Sequence, residues 1–500
     1  MRNELYQNKV SDYDIIIIGG GLGGLECGYI LARKGYSVCV LEKNPQIGGC
    51  LQTFRRGRTT FDTGFHYVGG LDEGQSLHRL FRYFGLLDLP WRKMDENGFA
   101  EIILHGKSYF LASGHERFVD TLSREFPDQR RQIATYAAFL KQVGDNIMNR
   151  FSSESGDAFT DGLFERSAYE FLQETTGNSL LRDVLSGASL TMELNPETLP
   201  LYMFAQINNS FIQSAWRLEG GGGQIAESLA ESIRKMGGVV HTNAAVTGLT
   251  VKDGKISGVR FCGEEARGKY VISDLHPAST IALLPETAFR KAYRNRIMQL
   301  PNTFGVFTTH LQLKENTVPY LNRNIFLYRG QSPWYVATQR ADDTEVALIT
   351  FQTPKAGTAY TDNIDILTPM RWQEVAQWAD TSAGRRGEEY RDFKLKKAEE
   401  CIALAEKRLP ELRGQIAQIY TSTPLSYRDY NGTREGSAYG IRKDCRHIIY
   451  TVLTPQTQIR NLLLTGQNLN LHGVLGVSMT AFFTCARITG METLLNELNR

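Results

Sequence analysis

Three groups of residues in this 500-residue chain have the types and spacing that chemistry needs. The first is Gly19-Gly20-Gly21-Leu22-Gly23-Gly24, in which Gly19, Gly21 and Gly24 fill a GxGxxG frame. In such a frame Gly19 permits a tight turn, Gly21 lets the backbone approach a pyrophosphate, and Gly24 lets the following helix close on the strand. Glu42, with Lys43 beside it, falls about 18 residues beyond Gly24, where an acidic side chain takes the ribose hydroxyls of a dinucleotide. The second group is His66-Tyr67, either of which can donate a proton next to a redox centre or simply pack there and cap a turn. The third is His472, before a C-terminal glycine-rich helix, together with Tyr439-Gly440. His472 suits a proton-transfer role or a backbone hydrogen bond equally. Tyr439 and Gly440 fit either the wall of a substrate cavity or an ordinary strand.

These residues require elements to hold them. Residues 12–18, DYDIIII, end in a continuous β-branched run of the kind buried on both faces of a parallel sheet. The glycine turn follows directly, then the helical pattern LECGYILARKG and a second strand, SVCVLE, so that a helix N-terminus faces the phosphates. Gly48-Gly49, after EKNPQI, resembles the second glycine pair of FAD-binding oxidoreductases, which selects FAD over NAD as the cofactor.

A second glycine cluster, EGGGGQIAESLAESIRKMGG at 219–238, opens a helix but follows no apolar strand, so the expectation is one nucleotide fold and no separate NAD(P) domain. Asp253-Gly254 predicts a hairpin in the strands after it. Val246 is expected to set its backbone against the adenine, and VISDLHP to leave the nucleotide domain. A third segment, NLLLTGQN followed by HGVLGVSMTAFFTCARITG, reads as a strand, a turn and a buried helix. Gly466, Gln467, Gly473 and Val474 lie at that turn and helix start, where the helix dipole would stabilise negative charge on a reduced ring.

The fold expected is therefore α/β: a discontinuous, glutathione-reductase-like FAD-binding Rossmann-type domain with an inserted mixed α+β substrate domain. Its boundaries are read as 12–70, 218–284 and 455–500 for the FAD domain, and 71–217 and 285–454 for the substrate domain. A chain of this length exceeds what one core usually organises. The aromatic-rich stretches LHRLFRYFGLL, LPLYMFAQINNSFIQSAW and TFGVFTTHLQL are mostly core by residue type, and as a set they are compatible with a long apolar tunnel.

Composition removes several function classes. Lys and Arg number 56 against 54 Asp and Glu, a balance that argues against nucleic acid as a partner. The seven cysteines are scattered, with no CxxC pair, which argues against a disulfide framework or a structural zinc site and fits a reducing compartment. His276, His310 and His447 have no partner at metal-ligand spacing, and no metal site is read. The N-terminal MRNELYQNKVSDYD lacks the apolar stretch of a secretory signal, and no run of about eighteen apolar residues suggests a membrane span. The expected location is cytoplasmic, with peripheral membrane contact left open. Hydrolase and phosphoryl-transfer motifs are missing.

Beyond these local features, IGGCLQTFRRGRTTFDTGFHYVGG resembles the retinol saturase and carotenoid isomerase branch of the phytoene-desaturase-like flavoproteins. Further similarity occurs at VISDLHP, TPLSYRDYNGTREGSAYGI and TGQNLNLHGVLGVSMTA. The resemblance implies noncovalent FAD and redox chemistry on a carbon–carbon bond of an apolar polyene or isoprenoid substrate, with a hydride carried at flavin N5. Its saturating, desaturating or isomerising direction, and the electron partner (NAD(P)H, quinone or oxygen), stay open. The chain departs from the family at Gly466-Gln467-Asn468, where many members place an acid against the ribitol; an amide can still bond a hydroxyl. Two other readings share the scaffold: a flavin amine oxidase or protoporphyrinogen-oxidase-like enzyme, and a flavin-free prenyl-lipid carrier of the GDP-dissociation-inhibitor type.

Overall fold

The computed structural model describes residues 11–147, 158–330, 332–336, 344–354 and 357–499. Its organising strand is Ser11–Ile18, which pairs in parallel with Val38–Leu41 on one side and Glu264–Ser273 on the other. Parallel neighbours on both edges and helices on a face leave no solvent side, which is why Ile15 to Ile18 form an unbroken apolar run rather than an alternating one. Val239–His241 extends the sheet beyond Val38–Leu41. The C-terminal half of Glu264–Ser273 takes Leu462–Leu464 as a parallel partner, while its N-terminal half continues antiparallel into Lys255–Phe261 and Val246–Lys252. Strands from three distant stretches of sequence thus build one sheet. The hairpin at Asp253-Gly254 is present, with both residues at positive φ (51° and 71°), the geometry that matches strand twist.

Helices Leu22–Arg33, Gly223–Lys235 and Gly473–Thr489 pack with one face of this sheet in a single apolar cluster. Gly28 makes the approach close: a Cβ there would lie 2.9 Å from Ile233 Cδ1.

A second, mostly antiparallel sheet runs in the order Ile416–Ser422, Gly305–Leu313, Asn363–Met370, Val346–Phe351, Asn324–Tyr328, Ala100–Leu104, Lys107–Leu111. Strand alternation splits its residues between two faces. Phe307, Ile349 and Ile366 pack under helix Glu388–Ala405, whereas Val306, Leu348 and Leu367 turn toward helix Leu201–Gln213 and a cavity.

Two expectations need correction, and one aromatic stretch takes the core place that its residue types imply. The stretch LHRLFRYFGLL supplies helix Ser76–Phe84, whose Leu77, Leu80, Phe81 and Phe84 join the core of the first sheet. Phe84 meets Phe482 of the C-terminal helix edge-on, so these aromatics fill a helix interface instead of a tunnel. A strand, Ala215–Leu218, does precede the second glycine cluster; it carries Trp216 and Arg217 and pairs antiparallel in a small three-stranded sheet, so it builds no second nucleotide fold. Residues around Tyr439-Gly440 form an irregular turn with only an isolated bridge, Asn302 to Ile441, because Gly440 at φ 71° breaks the extended course.

Candidate active site

At the carboxyl end of the parallel strands lies a cavity of about 530 Å³. One end is glycine-rich. Gly48 donates its N–H to Gly20 O at 2.7 Å and bridges Gly21, so the two glycine pairs touch although 27 residues separate them in order. A Cβ on Gly49 would lie 3.4 Å from Gly21 Cα. Glu42 stands at the rim, its two carboxylate oxygens each accepting a backbone N–H at 2.8 Å, from Gly20 and Asn44. This holds the side chain at a defined distance from the turn. A pyrophosphate cradle with an adjacent fixed carboxylate fits an adenine dinucleotide.

Gly19, Gly21, Leu22, Gly23, Glu42, Lys43, Gly48, Gly49, Val246, Gly466, Gln467, Gly473 and Val474 all line this cavity. Gly24 does not. A Cβ at Gly24 would fall 2.2 Å from Gly19 O, so its task is the close helix–strand contact. Gly440 is also off the wall, tucked against Asn468, whose Oδ1 would lie 2.3 Å from an added Cβ.

The other end is apolar. Leu190, Ile207, Phe211, Val306, Leu348 and Leu367 face it, with no charged side chain among them. Tyr67 stacks on Phe211, with ring centroids 4.2 Å apart, and Tyr439 lies over His472 at 4.8 Å. Tyr427 and Cys50 line the same cavity as Tyr439, Tyr67 and the second glycine pair. His66, Tyr67, Tyr439 and His472 are thereby brought to one cavity.

Their protonation states differ from those in water. Burial drives His66 down to about 4, Asp365 opposing this and His310 and Arg217 reinforcing it. Burial likewise takes His472 to about 4; its Nε2 lies 2.9 Å from Thr191 O, the backbone bond expected of a neutral ring. The Tyr67 phenol is raised by burial, opposed by Arg217 and by the side chain of Asn324.

Two acids on this site escaped the sequence reading. Asp274 follows the strand Glu264–Ser273 and lies over the cradle: Cβ atoms on Gly21 and Gly23 would fall 2.5 and 2.7 Å from its carboxyl oxygens. Burial raises it to about 7, opposed by the Gly24 N–H. The acid at the end of an apolar strand in VISDLHP was the available signal. Asp62, in FDTG, is buried and accepts the Gly222 N–H at 2.7 Å. Among the described residues no group of three His, Cys, Asp or Glu side chains is placed to hold a metal ion.

A parallel strand–turn–helix unit, a second glycine pair against it and an apolar lobe opening on both define an FAD-dependent oxidoreductase. The chain belongs to the flavin containing amine oxidoreductase family, which it matches over residues 22–356. It is 26% identical to human all-trans-retinol 13,14-reductase, over 95% of this chain and 85% of that protein. It is 23% identical to a chloroplastic prolycopene isomerase of an Oncidium hybrid cultivar, over 86% and 76% of the two chains. Among solved structures, wild-type putrescine oxidase bound to putrescine superposes with a TM-score of 0.62 at 15% identity, covering 96% of this chain and 100% of that one, which shows a shared fold.

Proposed function

We propose that this oxidoreductase acts on a carbon–carbon bond of an apolar polyene or isoprenoid substrate, and that the uncharged lobe carries this reading. The walls formed by Leu190, Ile207, Phe211, Val306, Leu348 and Leu367 give an extended apolar chain a surface on which to be buried. Retinoid and carotenoid names among its relatives support the same substrate class. The flavin domain comprises 12–70, 218–284 and 455–500, joined by helix Ser76–Phe84, and the remaining insertions form the substrate domain.

The glycine cradle, Glu42, Val246, Gln467 and the start of helix Gly473–Thr489 would hold FAD, which would supply the hydride at N5. The protein's own part is to exclude water with the apolar walls, to hold the polyene along Phe211 and Tyr439, and to handle one proton at His66. As a neutral imidazole, His66 can pass a proton by receiving it at one ring nitrogen while releasing it from the other. His472, bonded to Thr191 O, positions Tyr439.

Light-driven anaerobic reduction of the bound flavin, followed by addition of retinol or a longer polyene, tests this reading. Reoxidation by the polyene is the expected result for saturation, and reduction of oxidised flavin by a more saturated analogue for desaturation. Neither response, combined with amine oxidation and peroxide release, would overturn it.

A membrane source for such a substrate also has a structural counterpart. Ile449 and Tyr450 on the short helix Ile448–Thr451 are 79% and 57% exposed, and Arg296 of the basic helix Lys291–Gln299 reaches Ile449 O. No helix among the described residues is long and apolar enough to cross a membrane. The exposed apolar pair beside a basic helix supports a reading of surface contact with an anionic bilayer. Ile449→Ser combined with Tyr450→Ser is expected to lower cosedimentation with phosphatidylserine-containing vesicles by about tenfold, the loss of ~1.4 kcal/mol of apolar burial. Unchanged sedimentation would remove this surface from consideration.

A further inference from the structure

His66 faces more than the main cavity. Together with Phe65 it also lines a second, small chamber whose other polar walls are Asp62, Arg217, Asp365, Thr350, Gln352 and Thr353. The chamber measures about 10 Å³, the space of one water. Four strands meet there, and each brings a group the proton chemistry described above does not use.

Arg217 is 2% exposed and, among the described residues, pairs with no carboxylate. Its terminal nitrogens bond Tyr320 Oη, Leu321 O, Arg323 O and Asn324 Oδ1, while Nε has no partner. Asp365 is held by His310 Nδ1 at 2.7 Å, and His310 Nε2 lies 3.3 Å from Ser422 Oγ. Asp62 is fixed by the Gly222 N–H. A lone buried water would find a donor at Arg217 Nε and acceptors at the acids, enough partners to be retained.

We propose that Asp62 stores the proton this site consumes and passes it to His66 through one water held in the chamber by Arg217 and Asp365. The inference rests on the reading that His66 serves the reacting carbon. Burial raises Asp62 to about 8, opposed by the Gly222 N–H and reinforced by the neighbouring Asp365, so at neutral pH Asp62 carries a proton. The charged and titratable groups around Asp62 are Asp365, His310, His66 and Arg217. His66, kept neutral, is a relay and not a store.

The step balances. In the saturating direction a hydride adds to one alkene carbon and leaves an electron pair on its neighbour. That carbon takes the proton of one His66 ring nitrogen, the other nitrogen takes a proton from the water, and the water takes one from Asp62, which becomes a carboxylate and is reprotonated from solvent. Desaturation runs the same path in reverse.

Nitrogen-labelled histidine in the FAD-loaded protein tests the connection without any turnover. His66 ring resonances, assigned by comparison with His66→Gln, are expected to inflect near pH 8 as Asp62 ionises, and the inflection is expected to vanish in Asp62→Asn. Flat wild-type resonances, or an inflection that survives in Asp62→Asn, would overturn the proposal; the wild-type titration decides even if the variant fails to fold. In polyene-driven reoxidation, the wild-type rate is expected to fall by up to tenfold per pH unit above about 8. Asp62→Asn is expected to be slower by on the order of 10²-fold and insensitive to pH. If polyenes fail to react while the His66 inflection stands, the substrate reading falls and the relay is retained.

Discussion

Alanine at position 66 is expected to slow polyene-driven reoxidation of the bound flavin by about 10²–10⁴-fold, the range that a positioned proton-transfer group supplies. FAD content should be unchanged, since His66 lies outside the glycine cradle and the Glu42 clamp. The effect distinguishes His66 from its neighbour. Burial raises the Tyr67 phenol and so makes it a weaker acid, an effect that Asn324 and Arg217 only partly oppose. Tyr67→Phe is therefore expected to keep most of the rate, and its stacking on Phe211 keeps the ring in place. Stopped-flow comparison of the two variants at equal flavin reduction decides between them. A large loss in Tyr67→Phe with little in His66→Ala would reverse the assignment.

The second large effect concerns the cofactor itself. Asp274 lies over Gly21 and Gly23, where a pyrophosphate would bring negative charge, and it titrates at about 7. Below that value the carboxyl is neutral and can share the cradle with phosphate; above it, two anions face each other. Binding thus favours the protonated form, and FAD affinity should fall as pH rises through 7. Each pH unit carries up to a factor of ten, so roughly 100-fold is expected two units above the midpoint. Asp274→Asn should abolish this dependence and bind more tightly at high pH. Fluorescence titration of the flavin-stripped protein reads both, and an identical pH slope in Asp274→Asn would show that another group is responsible.

Both effects depend on burial, which the sequence states only indirectly. Neither His66 nor Asp274 departs from ordinary behaviour as a residue type. Their protonation follows from apolar enclosure by segments hundreds of residues away, such as Leu348 and Leu367 around the His66 side of the cavity and the Gly466 turn beside Asp274.

What the sequence determined by itself is the nucleotide half of the site. From Ser11–Ile18 through Gly49 the strand, glycine turn, helix, second strand and second glycine pair follow one another within a short span, and each local preference agrees with the next. Backbone conformation and short-range packing suffice there, so the local elements that carry Gly19, Gly21, Glu42 and Gly48-Gly49 to one cavity wall could be read directly, as could the Asp253-Gly254 hairpin. The tertiary structure alone decided the proton-handling side. His310 meets Asp365 because Gly305–Leu313 and Asn363–Met370 pair in that register, and Asp62 meets Gly222 across 160 residues. Nor could composition tell which aromatics are wall and which are core: Phe211 faces the cavity, while Phe84, of the same type, seals a helix interface. The physical reason is the same throughout. Hydrophobic burial has no direction and strand register depends on distant partners, so which side chains end up facing one another is settled only when the segments pack.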